Sequence, residues 1–111
     1  MECESEMSTV KYPDLIENLA EMKEGKDDRV DVMAFTLSTC QWCKKCKKYL
    51  KENDIQYRFI DVDTIEPEEK AQILNFLREN FQNRISYPFL VIDNHEAIVG
   101  YSPNKYDEVF S

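Results

Sequence analysis

The chain has 111 residues, 14 basic and 22 acidic, for a net charge of −8, with four cysteines, two glycines and four prolines. That length makes one domain with a single core, and an apolar content of 42% excludes wholesale disorder. No apolar run of about eighteen residues is present to span a membrane, and so acidic a chain is a poor partner for nucleic acid. The acidic start MECESEM has no apolar segment of the signal-peptide kind, so a cytoplasmic protein is expected. In a reducing cytoplasm, closely spaced cysteines point to redox or metal chemistry more than to structural disulfides.

Residues 1–11 read as a polar tail. After Pro13, the residues Leu15, Ile16, Leu19, Ala20 and Met22 recur at helical spacing, and Gly25 is a natural stop. Residues 30–36, VDVMAFT, read as a strand rich in β-branched and apolar side chains. Residues 40–53 read as a helix, and residues 55–62, IQYRFIDV, alternate as a second strand. Residues 67–81 form the longest helix, with Ala71, Ile73, Leu74, Leu77 and Phe81 on its apolar side. Thr64 or Glu66 would cap it, and Pro67 suits a first turn. FLVID, residues 89–93, is a third strand; Asn94-His95 is the turn, and EAIVGY, residues 96–101, returns as a hairpin. Ser102 and Pro103 open a last helix ending near Phe110. A βαβ unit followed by a hairpin implies an α/β fold, a four-stranded mixed sheet flanked by helices, with an extra N-terminal helix. The expected division is a tail and helix extension over residues 1–29 and the main domain over 30–111.

The charge is unevenly spread. Residues 37–51, LSTCQWCKKCKKYLK, hold Lys44, Lys45, Lys47, Lys48 and Lys51 and no acid. The rest of the chain keeps nine basic against 22 acidic residues, a balance of −13. Such a lysine run is either a solvated helix face or a local field that favours thiolate and steers an acidic partner. The two readings are compatible.

Cys40-Gln41-Trp42-Cys43 follows a predicted strand and opens a helix. Unpaired N–H groups and the positive end of the helix dipole stabilise an anion there, which makes Cys40 the attacking thiolate. Cys43, one turn inside, is near enough to close a disulfide and resolve a mixed intermediate. Gln41 and Trp42 lie at the mouth, where Trp42 packs against a docking substrate. A zinc or iron–sulfur site wants four ligands, usually in two separated pairs, and here a second pair is missing. No metal site within one chain is therefore expected, while a cluster shared between two chains stays open. Cys46 adds a third cysteine at the same spacing, either a small buried residue or a modulating redox thiol. Cys3 falls in the tail, and His95, the one histidine, falls in a turn.

Four ordered features make the chain from about residue 30 to 110 resemble the glutaredoxin type of the thioredoxin superfamily. VMAFTLSTCQWC resembles the family's first strand and active-site C-x-x-C. KKCKKYLKEND followed by IQYRFIDVD resembles the next helix and strand. Ser86-Tyr87-Pro88, directly before a strand, matches the cis-proline segment, and Val99-Gly100-Tyr101-Ser102-Pro103 matches the glycine turn before the last helix. The resemblance implies a thioredoxin fold, a nucleophilic Cys40, a resolving Cys43 and a cis Tyr87–Pro88 bond beside them. It implies substrate docking on Gln41, Trp42, Tyr87, Pro88, Gly100, Tyr101 and Ser102.

Departures from the family pattern bear on the electron donor. Leu37 stands where glutathione-dependent members carry a lysine, Gln41 where they carry proline, Val99 in place of one glycine and Pro103 where an aspartate is usual. These features resemble the glutathione-independent redoxins. The expected function is that of a dithiol–disulfide oxidoreductase, an electron carrier that reduces protein disulfides. The expected donor is a flavin or iron–sulfur reductase, with no bound cofactor, and the expected state is a monomer. A glutathione-dependent glutaredoxin, with glutathione as reductant, is the first alternative. An iron–sulfur cluster-binding or regulatory module is the second.

Overall fold

The computed structural model describes residues 12–81 and 84–110. In chain order the elements are α1 (Asp14–Leu19), β1 (Glu21–Lys23), β2 (Val32–Thr36), α2 (Gln41–Glu52), β3 (Tyr57–Asp61), α3 (Pro67–Phe81), β4 (Phe89–Ile92), β5 (Glu96–Val99) and α4 (Pro103–Phe110). They build one mixed sheet in the order β1-β3-β2-β4-β5. The β2–β3 pair is parallel and every other pair antiparallel.

β2 is buried along its whole length, and so is β4. A strand alternates its side chains, so a strand covered on both faces reads as a continuous apolar run. Val32 and Ala34 of β2, with Leu90 and Ile92 of β4, enter the layer that holds Cys46 and Leu50 of α2 and Tyr106 and Phe110 of α4. Met33 and Phe35, with Phe89 and Val91, enter the opposite layer against Ile16 of α1 and Ile73 and Leu77 of α3. The sheet is thus sandwiched by α2 and α4 on one side and α1 and α3 on the other. On α3, Ile73 and Leu77 are buried and Leu74 and Phe81 half-buried, but Ala71 faces solvent.

The sheet has five strands where four were expected. The predicted first helix runs only to Leu19; Ala20 is already extended, and Glu21–Lys23 pairs antiparallel with β3. Met22, assigned to an apolar helical face, is exposed on this edge strand. Gly25 is not a helix stop. Its Cα side faces the backbone of the turn before β3, and a Cβ there would lie 2.6 Å from the Asp54 carbonyl oxygen. Its lack of a side chain lets residues 25–27 come against residues 54–56, where Asp27 bridges Ile55.

The hairpin turn also differs by one residue. Asp93 and Asn94 take φ of 54° and 55°, and the His95 N–H donates to the Ile92 carbonyl at 3.0 Å. Two left-handed central residues match the twist of the flanking strands, and Asp and Asn tolerate that conformation. Asp93 is further held by the Asp31 N–H, which donates to its carboxylate at 2.9 Å. Among the described residues no helix is long and apolar enough to cross a membrane.

Candidate active site

The segment from β2 to α2 positions the cysteine pair. Ser38 donates from its N–H and hydroxyl to the Asp63 carboxylate, at 2.9 and 2.7 Å, and so pins the loop to the residues after β3. These bonds hold the Asp63 carboxyl below the usual carboxylate range. Beneath the loop, the buried Thr36 hydroxyl hydrogen-bonds Asp61, whose carboxylate also accepts from Lys47 Nζ at 3.1 Å. Asp61 and Asp63 belong to the site's support, although neither stood out in the sequence. Their partners lie 14 to 25 positions away in sequence, and no local pattern announces such contacts.

Cys40 is the N-cap of α2. Its sulfur accepts the Cys43 N–H at 3.2 Å, so one orphan donor of the helix terminus points at a half-buried thiol. Cys43 is 1% exposed, and its sulfur accepts the Leu37 N–H at 3.5 Å. Burial, reinforced by the adjacent Cys40 sulfur, pushes the Cys43 thiol up to about 12. The pair is therefore asymmetric. The outer sulfur is half-buried and meets one helix-terminal N–H, whereas the inner one sits in the core and holds its proton more tightly.

Several of the predicted docking residues contact one another. Trp42 is 57% exposed and stacks on Tyr101 with ring centroids 6.1 Å apart. Lys45 Nζ lies 4.6 Å from the centre of the Trp42 ring. The Tyr87–Pro88 peptide is cis, as the resemblance implied. Burial raises the Tyr87 phenol, against which Arg78 acts, and the Cys43 sulfur adds to the rise. The Gly100 N–H donates to the Pro88 carbonyl at 2.7 Å, which joins the proline segment to the glycine turn. Gly100 itself takes φ 87°, a conformation that L side chains rarely adopt. Ser102 contributes its carbonyl, which accepts the Tyr106 N–H at 3.0 Å in the first turn of α4. Gln41 is exposed at the first position of α2.

Cys46 does not reach this mouth. It is fully buried under α4, with its sulfur 3.5 Å from Tyr106 Oη, and burial pushes its thiol up to about 11. The same Tyr106 hydroxyl donates to the Gly100 carbonyl at 2.9 Å. Tyr106 was not singled out in the sequence, yet it ties α4 to the glycine turn. Cys3 lies outside the described residues.

A thioredoxin fold presenting an asymmetric C-x-x-C at a helix start defines a thiol–disulfide oxidoreductase. The glutaredoxin family model matches residues 32–97. A methanoredoxin from Methanosarcina acetivorans is 32% identical, with 78% of this chain and 90% of that chain covered and a TM-score of 0.71. A glutaredoxin from Methanosarcina mazei Go1 is also 32% identical, covering 83% and 87%, with a TM-score of 0.72. A glutaredoxin from Archaeoglobus fulgidus is 27% identical over 72% and 85%, with a TM-score of 0.62. No curated protein sequence matches the chain. The chain belongs to the glutaredoxin family.

Proposed function

We propose that the protein is a dithiol electron carrier that reduces disulfides in other proteins, with Cys40 as nucleophile and Cys43 as resolving thiol. The observation that carries this reading is the asymmetry of the pair: a half-buried Cys40 sulfur that accepts a helix N–H, beside a buried Cys43 that holds its proton. In the first step the Cys40 thiolate attacks one sulfur of the target disulfide. A Cys40–target disulfide forms and the other target sulfur leaves as thiolate. Cys43 then gives up its proton and attacks Cys40 Sγ, which forms the Cys40–Cys43 disulfide and expels the reduced target. A reductase of the flavin or iron–sulfur type returns two electrons and two protons.

Leu37 supports an enzyme donor over glutathione. Its side chain packs into the apolar layer that holds Phe35 and Phe89, so position 37 itself offers a glutathione carboxylate no cation. The proposed carrier works as a monomer in a reducing cytoplasm, where such thiols are kept reduced. Trapping tests the roles. Cys43→Ser should accumulate a stable mixed disulfide with a target protein, and Cys40→Ser should form none. Cys40→Ser that reduces insulin at the wild-type rate sinks the assignment. Comparing reduction of the oxidised protein by glutathione and by a flavoprotein reductase decides the donor.

A further inference from the structure

The lysines of α2 do not surround the thiols evenly. Lys45 lies over Trp42, on the flank that meets Tyr101. Lys44, Lys47, Lys48 and Lys51 line a second concavity together with Lys23 of β1, and Lys48 also borders the Tyr101 flank. Between them runs an open groove of about 490 Å³ floored by Ile55 and Tyr57, with Glu24 and Asp54 as its acids. Lys47 pairs with Asp61 at 3.1 Å, and Lys48 is 3.9 Å from Glu52. Among the described residues no carboxylate forms an ion pair with Lys23, Lys44 or Lys51. Five lysines and two acids thus line one groove on a molecule of net charge −8, with Lys23 Nζ lying 5.9 Å from the centre of the Phe59 ring.

The groove and the cysteine pair share α2. Lys44 is one turn beyond Cys40 and donates its N–H to the Cys40 carbonyl at 3.1 Å. Lys44 and Lys51 stand seven residues apart on one helix, about 10 Å along its axis. One phosphate group cannot bridge that span. Carboxylates two or three residues apart on an extended chain are separated by about 7–10 Å and can meet both lysines. The remaining surface repels an acidic partner, so the field leaves this flank as its approach.

We propose that the groove seats an acidic, extended segment of a partner protein, with its carboxylates on Lys23, Lys44 and Lys51 and an apolar side chain on Ile55 and Tyr57. The delivery of that partner's disulfide to Cys40 rests on the exchange reading above, whereas the binding itself does not.

The test is fluorescence anisotropy with a labelled Glu- and Asp-rich octapeptide that contains one Tyr and no cysteine. Wild type and Cys40→Ser should bind it alike. The double variant Lys23→Glu/Lys51→Glu should bind roughly tenfold more weakly, and raising salt from about 0.02 to 0.2 M should weaken wild-type binding. The double variant should still reduce a small neutral disulfide at the wild-type rate, which shows that the fold and thiols are intact. Equal binding by the double variant and wild type, or no binding by either, overturns the proposal. A wild-type mass of two chains in sedimentation that falls to one chain in the double variant also overturns it, since a second copy would then fill the groove. Binding by Cys40→Ser supports the groove whatever the exchange assay gives.

Discussion

Cys43 and Cys46 are sulfurs withdrawn from water, and that withdrawal has a measurable sign. Burial raises their folded values from the ordinary 9.0 to about 12 and about 11. A group that holds its proton more tightly when folded contributes stability in full below its unfolded value and loses it as the pH climbs through the folded one. The reduced protein should therefore lose stability between about pH 9 and 12, and the buried phenols of Tyr12 and Tyr106 act in the same direction. Urea midpoints at about pH 7 and pH 10.5 check this. The oxidised form should fall less, because its Cys43 has no proton to lose; equal slopes would refute the assignment. Tyr106→Phe removes the donor to the Gly100 carbonyl and should cost about 1–2 kcal/mol. Trp42, the one tryptophan, stacks on Tyr101 beside that turn, so its emission should shift in the variant. Unchanged emission and midpoint would show that the bond does not hold the turn.

Among the elements, those with strong internal periodicity match their sequence reading closely. α3 spans the expected residues 67–81, and β2, α2, β3 and β4 fall within one or two residues of expectation. Their patterns are local: β-branched and apolar runs in β2 and β4, alternation in β3, a first-turn proline in α3. The first helix fails for a different reason. Its apolar spacing continues through Met22, but the β3 edge offers unpaired backbone groups, and residues 21–23 take them up as a strand. Gly25 belongs to the same event. Gly25→Ala places a Cβ against the backbone at Asp54 and Ile55, where no flexible side chain can yield. It should destabilise by about 1–3 kcal/mol, read from the urea midpoint. A neutral substitution would mean that the β1 edge can swing away without cost. The hairpin turn sits one residue earlier, where Asp31, the residue before β2, anchors Asp93.

For the whole molecule, residues 12–23 ahead of β2 are part of the sandwich. Ile16 is fully buried in the layer with Phe35 and Leu77, and β1 covers the β3 edge. Deleting residues 1–25 should leave the cysteine pair in place but cost about 3 kcal/mol or more, by opening a cavity at Ile16 and baring a strand edge. Thermal unfolding and light scattering of the truncated chain measure both effects. Unchanged stability without aggregation would mark the segment as an appendage.

The amino-acid sequence by itself determined the α/β class, the glutaredoxin resemblance and the pair Cys40–Cys43, because strand alternation, helix capping and C-x-x-C spacing are local properties. It also carried Trp42, Tyr87, Pro88, Gly100 and Tyr101, through the order of the motifs. Only the tertiary structure decided the fifth strand, the burial of Cys46, and the supporting roles of Thr36, Asp61, Asp63 and Tyr106. It alone divided the lysines between the Trp42 flank and the groove. Each of these depends on which distant segment a residue meets, and such meetings are settled by how the sheet and helices close on one another.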